Sequence, residues 1–250
     1  MKKFIIFVFN FIMILMVSSV VLAATVLEKD TVALDKIYIV ALSVTNQDDL
    51  NMSQKAMKLL VPQWQSFNKK HLRDFSHDKT AKADFAKISR MINDAARIVQ
   101  QNGQLNDAHE SLEGVRNTLL TLRKRNSIDY YIDYLTKFHE PMENAALLAK
   151  GKTPETLSSE NISTIKNLLA ECLRDWEAVK EAKFDADLFN FPPEKDKKRQ
   201  EYIEAETQAL DKLKQVLEGE NKEAIIKTTM AIKPNFAQLF IMFGDFAAIK

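Results

Sequence analysis

The chain of 250 residues contains one cysteine, five glycines and six prolines. A single cysteine excludes an intramolecular disulfide, a thiolate-rich metal knuckle and the Cys-x-x-Cys-His attachment of haem. So few glycines and prolines exclude an all-β protein, which turns every 8–12 residues, and leave nothing for the Gly-rich phosphate loops of nucleotide-binding α/β enzymes. Neither sign of charge dominates: 35 basic side chains face 34 acidic ones. A nucleic-acid partner, which needs a basic field, is therefore not expected. What is plentiful is apolar surface, 46% of residues, together with 28% charged residues, enough for a sizeable core and against disorder as the main state. An all-α protein remains.

The amino terminus reads as a secretory leader. Lys2 and Lys3 precede an apolar run beginning at Phe4, and Val21-Leu22-Ala23 supplies a small-residue exit, the order expected of residues 1–23 as a signal peptide. The alternative is an uncleaved anchor, because the run from Phe4 to Val21 comes near the ~18 residues that span a bilayer. Membrane contact would then be through this segment alone. Cleavage predicts a periplasmic or secreted protein whose first residue is Ala24 or Thr25. N-terminal sequencing of exported material checks this, and an intact Met1 in the membrane fraction refutes it. Removal of Lys2 and Lys3 leaves 33 basic and 34 acidic side chains, a net charge of −1. Cys172, within Leu168-Leu169-Ala170-Glu171-Cys172-Leu173, reads as a small buried hydrophobe on a helix.

Apolar residues recur at three- and four-residue spacing through the remainder, which predicts helices at 31–44, 51–72, 80–102, 105–124, 128–149, 160–182, 195–217 and 221–247. The expected fold is all-α, an up-and-down helical bundle of seven to eight helices. Its first helical half spans 24–150 and its second spans 151–250, packed on the first. Leu105, Ala108, Leu112, Val115, Leu119 and Leu122 form one seam, and Ile128, Tyr131, Leu135, Phe138, Met142, Ala145 and Ala149 another. A short loop around Asn126, with Ser127 as N-cap, should join them as a tight antiparallel hairpin over 105–149. Polar breaks fall at 74–79, 151–160 and 184–196. Pro62, Pro141 and Pro234 lie inside helical patterns, and the apolar stretch from Phe236 to Phe246 reads as a core element. A weak internal duplication is visible: Trp64 answers Trp176 at an offset of 112, and the segment from Gly103 answers that from Gly219 at 116.

One constellation could carry chemistry. His-Glu-x-x-Glu occurs twice, at His109-Glu110-Ser111-Leu112-Glu113 and at His139-Glu140-Pro141-Met142-Glu143. Residues at i and i+4 share a helix face, so a hairpin turning at Asn126 sets Glu113 level with His139, and His109 level with Glu143. Two imidazoles and two carboxylates are the ligand types of one divalent transition metal in a helical bundle. His109, Glu113, His139 and Glu143 are therefore candidate metal ligands, with the competing reading an ion-paired helix face. Met142 could add a soft ligand but falls on the apolar seam. His71 and the pair His77-Asp78 flank a loop and read as exposed. Three functions fit: an exported protein that binds a small ligand or another protein, with or without this metal; a metal-dependent enzyme or redox protein using the same residues; or a structural bundle without metal. The residues do not choose a reaction.

Overall fold

The computed structural model describes residues 26–219 and 221–250. The expected leader, its cleavage point and the apolar run from Phe4 lie outside them. Among the described residues there are nine α-helices and no strand, in an up-and-down bundle. They are α1 (26–46), α2 (Leu50–His71), α3 (Ala81–Gln100), α4 (Leu105–Arg125), α5 (Tyr131–Ala149), α6 (Ser159–Glu181), a single turn α7 (Ala186–Phe189), α8 (Pro193–Leu217) and α9 (Lys222–Ile241). Short 3₁₀ turns follow α2 at Leu72–Phe75 and α9 at Phe246–Ile249. No helix among the described residues is long and apolar enough to cross a membrane.

The starts and stops follow local chemistry. Asp49, Ser158, Asp185 and Asn221 each accept a backbone N–H of the first turn they precede, and Ser158 with Asn161 forms a full capping box. Pro193 sits at the first position of α8, where its missing N–H costs nothing. Gly151, at φ 70°, closes α5 in the left-handed conformation that a side chain resists. Pro62, Pro141 and Pro234 lie inside α2, α5 and α9, and each helix continues through its proline. The helix expected over 128–149 begins later, because Ser127 takes φ 54° instead of capping and Tyr130 is the residue before the first turn. Asp133 in that turn reaches back to Arg123, with Nε to Oδ2 at 2.7 Å, and this buried pair closes the α4–α5 connection.

Helix pairing departs from the tight hairpin that the two seams predict. The α4 seam packs on α3, where the bare Gly114 lets Met91 come close, and on α1, whose Tyr38 hydroxyl donates to the Leu112 carbonyl at 2.7 Å. The α5 seam packs on α6 and α9, with the Phe138 ring 4.7 Å from Trp176 and 5.4 Å from Phe236. α4 and α5 meet directly at few positions, and α5, grouped with the first half by sequence, makes its contacts with helices of the second. Periodicity shows that a helix has an apolar face; it does not name the neighbour that covers it.

The helices α2, α3 and α4, shifted by the offsets read from the sequence, fall on α6, α8 and α9. The two tryptophans behave alike as well: Trp64 Nε1 donates to Ser89 Oγ on α3, and Trp176 Nε1 to Thr207 Oγ1 on α8, both at 2.9 Å. α1 is enclosed most fully in its second half, with every residue from Tyr38 to Leu42 buried, while Lys29 and Ala33 nearer its start are exposed. The carboxy-terminal apolar stretch is core as expected: Phe236, Leu239, Phe240 and Phe243 are buried, although α9 stops at Ile241. The break at 184–196 is aromatic more than polar. Phe184, Phe189, Phe191 and Phe243 cluster with Tyr131, and the Arg199 guanidinium lies 3.9 Å from the Phe184 ring centre. Cys172 is buried, and burial pushes its thiol up to about 12, so it is inert at neutral pH.

Candidate functional site

Because α4 turns its seam to α3 and α5 turns its seam to α6, a cleft of about 540 Å³ is left between them. The ends of α1 and α9 wall it on the other two sides, so it lies where the two groups of helices meet, a common place for ligand sites. All four candidate residues, His109, Glu113, His139 and Glu143, line this one cleft. The i,i+4 argument therefore brings them together as expected, at a wider spacing than a tight hairpin.

What sequence reasoning missed is the pair of cations that comes with them. Arg116, 96% buried as a side chain, donates from Nη2 both to Glu113 Oε2 and to His139 Nδ1, the latter at 2.6 Å. Its guanidinium also sits over the Phe240 ring, 5.4 Å from the centre. Lys233, from α9, donates to Glu143 Oε1 at 2.7 Å. His109 donates from Nδ1 to the Leu42 carbonyl at 3.1 Å, which turns its Nε2 toward Glu113 Oε1 at 3.6 Å. The two imidazoles are thus opposite tautomers when neutral. His109 carries its proton on Nδ1, whereas the guanidinium makes His139 Nδ1 an acceptor and leaves the proton on Nε2. Burial, and then the positive charges of Arg116 and Lys233, hold His139 well below the ordinary histidine range. Its Nε2–H has no protein partner among the described residues. Two further atoms are buried without a partner, Arg116 Nε and Glu143 Oε2.

This geometry does not suit a metal. A histidine ligand normally donates its second ring N–H to an acceptor, and a metal on His139 Nε2 would place that N–H against the Arg116 guanidinium, donor against donor. Glu113 and one oxygen of Glu143 are already taken by cations. Among the described residues no group of three or more His, Cys, Asp or Glu side chains is gathered as a metal would need. Nucleophilic chemistry finds no support either, since Ser43, the one hydroxyl side chain on the lining, accepts from Gln47 Nε2 and not from an imidazole.

No family model matches this chain, and neither the curated proteins nor the solved structures contain a match to it. The site has to be read from its own chemistry.

The remaining histidines divide. His77 is exposed as expected, but His71 is buried, 2% exposed, with Nε2 2.6 Å from Asp30 and Nδ1 2.7 Å from Asp74. It ties α1 to the end of α2, and the sequence gives no sign of this because Asp30 lies 41 residues away. Asp78 is half-buried, and hydrogen bonds from Thr80 and Arg125 hold its carboxyl well below the usual range.

Proposed function

We propose that the protein is an exported binding protein that takes a small organic ligand in the α1–α4–α5–α9 cleft. The observation that carries this reading is a roomy cleft whose wall holds buried, unused hydrogen-bonding atoms, Arg116 Nε and Glu143 Oε2, beside the apolar side chains of Phe236 and Phe240. Leaving buried polar groups unpaired costs roughly 1–3 kcal/mol each, which a ligand that pairs them would recover. The wall mixes polar and apolar surface, and placed polar groups of this kind orient the ligand in a small-molecule site. Export rests on the leader-like residues 1–23 and places the ligand in the periplasm or outside the cell.

The test uses the neutral fluorophore N-phenyl-1-naphthylamine and a variant that fills the cleft. Ala237, half-buried on α9, lines the cleft, so Ala237→Trp should fill it while every charged residue of the lining is retained. The wild-type protein should bind one fluorophore, and Ala237→Trp should weaken binding at least tenfold while keeping its helical circular dichroism and unfolding midpoint. Equal binding by both proteins, or no binding by the wild type, overturns the proposal.

A further inference from the structure

The charges around the cleft narrow the ligand further, an inference that rests on the binding reading above. Three cations and four carboxylates line the cleft; the buried Arg116 is matched with Glu113, and the half-exposed Lys233 with Glu143. A bare anion or a bare cation entering beside these pairs meets charges already neutralised, or must break an existing pair. A ligand carrying both signs brings no net charge. The unused atoms also come in both kinds. His139 Nε2–H and Arg116 Nε–H are donors, and Glu143 Oε2 is an acceptor. His139 and Glu143 lie one turn apart on the same face of α5, about 5–6 Å between Cβ atoms. An ammonium and a carboxylate on the same or adjacent carbons can bridge such a pair with hydrogen bonds of ordinary length.

We infer that the cleft recognises a small zwitterion with an apolar body: its carboxylate meets His139 Nε2–H beside Arg116, its ammonium meets the free Glu143 oxygen, and its body lies against Phe236, Phe240 and Leu42. Glu140, exposed on α5 one residue after His139 and three before Glu143, adds negative charge to the lining of the cleft. The Arg116–His139 hydrogen bond is the specificity device. It fixes the imidazole as a neutral donor, so an acceptor is recognised there without a further positive charge in the wall.

The test is displacement of N-phenyl-1-naphthylamine at pH 7 by three molecules with one phenyl body: phenylalanine, 3-phenylpropanoate and phenethylammonium. Phenylalanine should displace the fluorophore at a concentration at least tenfold lower than either ion. Glu143→Gln should remove most of that advantage by weakening phenylalanine while leaving 3-phenylpropanoate unchanged, and His139→Leu should weaken phenylalanine and 3-phenylpropanoate but not phenethylammonium. Equal or better displacement by one of the ions, no displacement by any of the three, or an unaltered phenylalanine response in Glu143→Gln overturns the zwitterion. The fluorophore separates the two proposals. If wild type binds it and Ala237→Trp does not, the cleft remains the binding site even where the zwitterion fails.

Discussion

Replacing Glu206 with methionine should stabilise the protein by about 3 kcal/mol at pH 7. Glu206 sits on the buried stripe of α8 with Leu210, Leu213 and Leu217, fully covered, and neither carboxyl oxygen has a hydrogen-bond partner. Burial pushes its pKa up to about 9; the Asn235 amide and the Phe236 N–H lie near enough to oppose this without forming a proper hydrogen bond to either oxygen. The folded protein therefore keeps the carboxyl neutral at pH 7, whereas the unfolded chain ionises it above its ordinary value of 4.5. Below that value both states hold the proton and the group costs nothing by linkage. Between it and about 9 only the unfolded state releases the proton, so stability falls by about 1.4 kcal/mol per pH unit; above about 9 the loss is complete. Glu206→Met removes the carboxyl and with it this slope. Urea unfolding of both proteins at several pH values should give curves that diverge with rising pH, and parallel curves would contradict the assignment.

Replacing Arg116 with methionine should have the opposite sign, a loss of about 3 kcal/mol or more. Among the described residues Arg116 is the only ion-pair partner of Glu113 other than the more distant His109, and removal leaves a half-buried carboxylate short of its counter-ion. Adding Glu113→Gln to the variant should restore part of the stability, because the stranded charge goes with it. The same substitution frees His139 Nδ1 and removes the guanidinium charge beside the ring. The His139 titration, followed by NMR, should then move up toward the ordinary histidine value without reaching it, since burial is the larger cause and remains. An unchanged titration would show that the guanidinium does not set the state of this imidazole.

Both residues were legible in the sequence to a degree. Arg116 stands four residues after Leu112 and three before Leu119, a charged residue in step with the α4 seam, and Glu206 stands four before Leu210 in the same way. A charge at a core position calls for a partner or a shifted pKa, and that rule would have marked both. Helix positions were readable because the 3.6-residue rhythm is local; seven of the eight predicted helices agree closely with α2 to α6, α8 and α9, differing by a few residues at their ends, as at Ser127 and Ile241. The convergence of His109, Glu113, His139 and Glu143 followed from spacing alone. Lys233 did not, because nothing within α9 tells that it faces α5, 90 residues earlier at Glu143. The packing partner of each seam was equally hidden, so a tight α4–α5 pair was expected where a cleft stands.

The burial of α1 bears on how the protein reaches this state. Its side chains and backbone are bonded to His71, His109, Leu112 and Tyr130, and the Lys36 carbonyl accepts the Asp245 N–H at 2.8 Å beside the close approach of Gly244 to Ile39 and Val40. The first helix thus acquires its last neighbours from the final residues of the chain. Contacts of such long separation reward the chain only after the intervening loops have closed, which slows folding relative to a bundle of local hairpins. During synthesis α1 lacks these partners until the end of the polypeptide arrives, so the helix that opens the bundle is among the last to be enclosed.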